Sequence, residues 1–175
     1  MKSKTASIKF SRGFTLIELV VAFSIMAILG TIGLASFVNY GRSQTMQQAV
    51  NDFTTALNTV KAASVAQAVS ISVNGQSLTC LSGSFGGYGI KIIDATHYEY
   101  YIMCSGVEVY PATTIPLPPK ITFAAGTTQD VFFAVLTGGV TGTGNIVFDG
   151  SGLGLAKKTI SIDSGANILV PTPTP

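Results

Sequence analysis

Residues 11–38 read S-R-G-F-T-L-I-E-L-V-V-A-F-S-I-M-A-I-L-G-T-I-G-L-A-S-F-V. A basic stretch carrying Lys2, Lys4, Lys9 and Arg12 ends at Gly13, and an apolar run then extends from Phe14 to Val38 with a single charge, Glu18. About 20 apolar residues span the hydrocarbon layer of a bilayer, so 19–38 is long enough to cross one. A secretory signal is removed together with its apolar region. A plain anchor has no reason to hold a carboxylate near its end, because a charge at the bilayer centre costs roughly 2.5–3.5 kcal/mol on insertion scales. Glu18 is therefore a functional residue in search of a partner.

The helical pattern continues from Thr15 to about Val69. After Tyr40 it becomes amphipathic: Met46, Ala49, Val50, Phe53, Leu57, Val60 and Ser64 or Val65 recur at spacings of three and four. Arg42, Gln44, Gln47, Asn51, Asp52, Asn58 and Lys61 take the other positions. One face of 39–69 thus expects a sheet against it. A continuous helix over this range would be roughly 80 Å long at 1.5 Å per residue, more than a small soluble domain needs.

Beyond Gln67 the period falls to two and turn residues multiply. Strands are expected at Val69–Val73, Leu78–Leu81, Gly89–Ile93, Tyr98–Cys104, Val107–Tyr110, Lys120–Ala124, Val131–Leu136, Asn145–Phe148 and Thr159–Ile162. Asn74–Gly75, Gly138–Gly139 and Asp149–Gly150 read as turns. The glycines of Gly83–Gly89 read as a flexible loop, and Pro111, Pro116, Pro118 and Pro119 as a loop that is no central strand. The tail 171–175 reads as extended and mobile. The expected fold is α+β: a long N-terminal helix, membrane-spanning in its first half and amphipathic in its second, packed on an antiparallel β-sheet domain at 70–170.

The chain has 175 residues, 47% of them hydrophobic, and a formal charge of +2. Removing Lys2, Lys4, Lys9 and Arg12 leaves six basic residues against eight acidic ones, a side-chain sum of −2. That balance speaks against a general electrostatic grip on nucleic acid. Cys80 and Cys104 do not have metal or redox spacing. They are either a disulfide, permitted in an exported region, or two thiols packed in the core.

The N-terminal segment resembles the class III leader and first helix of type IV pilins and type II secretion pseudopilins. Gly13, Phe14, Thr15, Leu16, Ile17 and Glu18 fill that family's motif. The resemblance implies a leader at 1–13, cut between Gly13 and Phe14 by a prepilin peptidase, methylation of the new Phe14 amine, and a filament-core helix at 14–38. It implies that Glu18 meets the Phe14 amine of a neighbouring subunit. Ala35 stands where many pilins have a helix-bending Pro. A weaker likeness, carried by 42–68 and the N-I-V-F-D-G-S-G stretch at 145–152, is to FimT/GspH-type minor pilins and pseudopilins.

The resemblance further implies an inner-membrane precursor with its C-terminal domain outside the cytoplasm, later drawn into an extracellular or periplasmic filament. Its partners would be other pilin or pseudopilin subunits and an assembly platform driven by a cytoplasmic ATPase. A DNA-capturing minor pilin of natural competence and a membrane-anchored adhesin unrelated to pili are the competing readings. No catalytic, cofactor or metal site is expected. His97 stands alone in a strand, there is no G-x-S-x-G elbow, and Asp94, Glu99 and Glu108 are scattered. Tyr98, Tyr100, Tyr101 and Tyr110 read as strand-face packing, and Lys157–Lys158 as a solvated edge.

Overall fold

The computed structural model describes residues 15–73, 75–81 and 83–170, with backbone alone for 31–35. One helix, α1, runs Leu16–Val65. It is followed by β1 (Ser70–Val73), β2 (Gln76–Thr79), β3 (Phe85–Ile92), β4 (His97–Cys104), β5 (Val107–Val109) and β6 (Ile115–Pro116). Then come β7 (Thr122–Phe123), β8 (Asp130–Ala134), β9 (Val140–Thr141), β10 (Gly144–Asp149), a 3₁₀ turn at Ser151–Leu153, β11 (Lys158–Ile162) and β12 (Ile168–Leu169). The chain divides into two units, Met1–Gly41 and Arg42–Pro175.

In the first unit α1 is helical through 35, where no Pro interrupts it. Its apolar side chains are exposed, among them Leu16, Phe23, Met26, Leu29 and Phe37. Among the described residues no helix is long and apolar enough to cross a membrane. The stretch expected to do so includes 31–35, whose side chains lie outside the described set.

In the second unit the rest of α1 lies on antiparallel sheets. β5-β4-β3-β8-β9 form one sheet, with β6 beside β4; β12-β11-β10-β7 form another; β1 and β2 pair alone. Met46, Ala49, Val50, Phe53, Ala56, Leu57 and Val60 point from the helix into a core shared with Tyr88, Ile90, Tyr98, Tyr100, Val131 and Phe133 of the larger sheet. Ile146, Phe148, Ile160 and Ile162 close it from the smaller one. In β8 burial alternates, with Val131 and Phe133 buried and their neighbours not; in β3 and β4, covered on both faces at their centres, consecutive residues are buried. Phe53 is the hub. Its ring meets Tyr98, Phe148 and Phe123 edge-on, with centroids 4.9, 5.6 and 5.7 Å away.

The helix stops at Val65, short of the 69 that periodicity suggests. Ala68 N–H donates to the Ala63 carbonyl at 3.0 Å, Gln67 N–H donates to that of Ser64 at 3.2 Å, and Gln67 has φ +56°. That is a Schellman cap with Gln, not Gly, in the left-handed position, so no glycine announces it. At the last core position the chain buries Ser64 and leaves Val65 half exposed.

The loop expected at Gly83–Gly89 is largely strand. β3 begins at Phe85 and is paired on both sides, to β4 and to β8. Its glycines are there for close approach. A Cβ on Gly89 would lie 2.3 Å from the Tyr101 ring. One on Gly87, where φ is +141° and the register shifts, would lie 2.1 Å from the Phe133 carbonyl oxygen. The other expected strands are present with shifted ends, and the two-residue strands β6, β9 and β12 are too short to show a period. Pro116 sits in β6, which pairs only with His97 and Tyr98 of β4, a position that needs no further donor.

Candidate assembly site

Gly13 and Phe14 lie outside the described residues. From Thr15 onward the geometry is that of a capped helix start. Thr15 N–H and Thr15 Oγ1–H both donate to Glu18 Oε2, each at 3.2 Å. Glu18 N–H donates back to Thr15 Oγ1 at 3.3 Å. This is a reciprocal capping box, in which N-cap and N3 residues satisfy each other's backbone donors. A carboxylate in the first turn also meets the positive end of the helix dipole. Thr15 was legible only as part of the motif; its T-x-x-E spacing to Glu18 is the signal that finds its capping role. Ser24 Oγ–H turns back to the Val20 carbonyl at 2.8 Å, which keeps a hydroxyl satisfied on an otherwise apolar surface.

Elsewhere, polar side chains are engaged with one another. Cys80 and Cys104 are joined by a disulfide with Cα atoms 5.7 Å apart, tying the end of β2 to the end of β4. His97 Nδ1 lies 3.0 Å from Asp94 Oδ2, in the turn between β3 and β4. Asp94 also accepts from Thr96 N–H at 2.6 Å and His97 N–H at 2.8 Å. The Thr96 backbone donor above all, then the His97 side chain, draws its carboxyl down to about 2. This is turn architecture rather than a poised acid–base pair.

On the outer face of the larger sheet Lys91 Nζ donates to Tyr110 Oη at 3.0 Å and lies 3.5 Å from Glu108 Oε2. Tyr110 Oη–H donates to Glu108 and holds that carboxyl below its usual range. Asp94 lies apart in the turn, whereas Glu99 and Glu108 share Lys91. Burial above all raises the Glu99 carboxyl, with Lys91 lowering it and Glu108 raising it. Tyr98 and Tyr100 are in the core, whereas Tyr101 is buried on the opposite face under Tyr110 and Phe132 and donates to Asp130 at 2.8 Å. Lys157 pairs with Asp149 at 3.4 Å, and Lys158 with Gln47.

A groove of about 510 Å³ runs between α1 and the proline loop, lined by Asp52, Thr59, Tyr98, Tyr100, Pro116 and Pro119. Among the described residues no group of three or more His, Cys, Asp or Glu is placed to hold a metal ion. The constellation that stands out is the capped helix start, whose apolar side chains are exposed.

Residues 8–34 match the family model for the prokaryotic N-terminal methylation motif. The chain thus carries a class III prepilin leader, consistent with the type IV pilin and pseudopilin family, whose members are structural rather than enzymatic. The motif supports a pilin-like precursor that is processed by a prepilin peptidase, methylated, and assembled with other pilin subunits. Neither the curated proteins nor the solved structures yield a match to this chain.

Proposed function

We propose that this protein is a minor pilin or pseudopilin, a structural subunit of a type IV pilus-like or type II secretion filament. The observation that carries the reading is the methylation motif, with Gly13, Phe14 and Glu18 at the spacing the leader requires. The leader is removed after Gly13 and the Phe14 amine is methylated. Residues 14–38 anchor the precursor in the cytoplasmic membrane and later leave lipid for the filament core. There Glu18 pairs with the Phe14 amine of a neighbour. An unpaired buried charge costs several kcal/mol, so the pairing selects one register between subunits. An assembly platform driven by a cytoplasmic ATPase supplies the work.

What supports a structural role over DNA capture is charge. The mature side chains sum to −2. Of the six basic ones, Lys61 is bonded to the Ala166 carbonyl, Lys91 to Tyr110, Lys157 to Asp149 and Lys158 to Gln47. N-terminal peptide mass spectrometry of the protein from native membranes tests the reading. A chain starting at N-methylated Phe14 is expected; one starting at Met1, or cut beyond residue 30, overturns it.

A further inference from the structure

The groove between α1 and the proline loop has a volume of about 510 Å³. Small-molecule sites run from roughly 300 to 1,000 Å³. Four elements supply its lining: α1 with Ala49, Asp52 and Ala56, the proline loop with Pro116 and Pro119, β4 with Tyr98 and Tyr100, and β1 with Val73. Aliphatic and proline side chains make up most of it.

The polar groups of the lining are engaged within the chain, with one exception. Thr55 Oγ1–H donates to the Asn51 carbonyl and Thr59 Oγ1–H to that of Thr55, each at 2.8 Å. The Tyr98 and Tyr100 hydroxyls are bonded to each other; burial above all raises both phenols, with the Asp52 charge adding to it, so both keep their protons. Pro116, Pro118 and Pro119 have no N–H, and Leu117 N–H donates to the Thr96 carbonyl at 2.7 Å. Asp52 is the exception. It is the one charged residue of the lining, and among the described residues it makes no salt bridge. The helix positions three and four residues to either side of it are Gln48, Ala49, Thr55 and Ala56, none of them basic. The groove therefore presents a negative acceptor on an apolar lining, and its proline wall offers no donor.

We infer that this groove binds a small organic ammonium ion, with Asp52 holding the charge and the proline and aliphatic lining packing the hydrocarbon body. An anion would meet the carboxylate and no donor. A neutral molecule would leave the carboxylate without a counter-charge. One carboxylate supplies too few oxygen ligands for a divalent cation, and no metal-holding group lies among the described residues. The inference stands on the β domain and does not depend on the filament reading.

The test uses the full chain in dodecylmaltoside micelles with isotope-labelled tyrosine. It is titrated with cyclohexylammonium and, separately, with cyclohexanol, a neutral molecule of nearly the same shape. The ring signals of Tyr98 and Tyr100 are expected to shift saturably with the ammonium, and cyclohexanol is expected to bind at least about fivefold more weakly. Asp52→Asn keeps the side-chain size at an exposed position and is expected to weaken the ammonium by a similar factor. Thr55→Lys, one helical turn on, sets an ammonium beside Asp52 from within the chain and is expected to weaken the probe as well. No saturable shift in wild type, equal affinity in Asp52→Asn, or cyclohexanol binding as tightly as the ammonium overturns the inference. Shifts with Nα-acetyl-lysine methylamide but not with cyclohexylammonium also overturn it and assign the groove to a lysine of another protein.

Discussion

Ser64 Oγ receives the backbone N–H of Tyr88 at 3.0 Å and at the same time donates to the Val60 carbonyl at 2.9 Å. Ser64 is the buried polar side chain of the core, and Tyr88 is fully enclosed. Tyr88 Oη–H returns to the helix end, donating to the Ala68 carbonyl at 2.8 Å, and burial pushes that phenol up to about 12. One strand residue thus holds the last turn of α1 at Ser64 and the cap beyond it at Ala68. Replacing Ser64 with Ala strands the Tyr88 N–H in the core. A loss of about 1–3 kcal/mol is expected, the desolvation cost of an unsatisfied buried donor, read by chemical denaturation with the disulfide intact. A loss no larger than that of an exposed control such as Ser72→Ala would refute the grip.

Phe53 holds both main sheets to the helix through Tyr98, Phe123 and Phe148. Phe53→Ala is expected to cost about 3–5 kcal/mol, the largest single loss on this helix, because the rings around it cannot all collapse into the space. Thermal unfolding of the variant against Val50→Ala measures it.

The capping box separates two roles of Glu18. Glu18→Gln keeps an acceptor at the N3 position and so preserves the box with Thr15, while removing the charge. Thr15→Ala keeps the charge and weakens the cap by about 1 kcal/mol. If charge pairing with a neighbour's amine drives assembly, Glu18→Gln is processed normally and fails to enter filaments beside wild-type subunits, while Thr15→Ala enters. The reverse pattern in sheared filament fractions would assign Glu18 a purely helical role.

The disulfide closes a segment with sequence separation 24. In the chain-entropy view this is worth roughly 3 kcal/mol. Cys80→Ser with Cys104→Ser is expected to lower the unfolding midpoint accordingly, and to loosen the backbone at 83–84 and 105–106 first, as hydrogen exchange would show. Unchanged exchange there would mean that backbone pairing alone holds them.

Asp94 gives an acid limb whose sign is set by its depressed carboxyl, about 2 in the folded chain. Its contribution to stability is present above the ordinary aspartate range and is lost as the pH falls through that range toward about 2. Asp94→Ala is expected to remove that part of the acid dependence and to free the Thr96 and His97 amides, visible as faster exchange in the turn between β3 and β4. An exchange rate identical to wild type would sink this account.

How much of this was legible before folding depended on range. The face Met46–Val60 was readable because each position is fixed by its own helix, and β8 and β10 showed their period of two, whereas the central β3 and β4 did not. Gly83–Gly89 misled because glycine in isolation argues for a loop. Only with Tyr101 across from Gly89, and Phe133 across from Gly87, does the missing side chain become room for a neighbour. Gln67 gave no stop signal, since its left-handed conformation is imposed by the carbonyls of Ala63 and Ser64 rather than by its own preference. The choice of Ser64 over Val65 at the core was equally invisible: a hydroxyl belongs there only because Tyr88 presents a donor.

By itself the sequence determined the leader motif, the one carboxylate in an apolar run, the amphipathic face and the alternation of the strands. These are local patterns, set by residues a few positions apart along one element. The pairing of three sheets, the strand made from glycines and the hold of Tyr88 on α1 and its cap were decided only by tertiary structure. Each joins residues distant in sequence, and a buried donor or a close approach exists only once the partner surface has been placed.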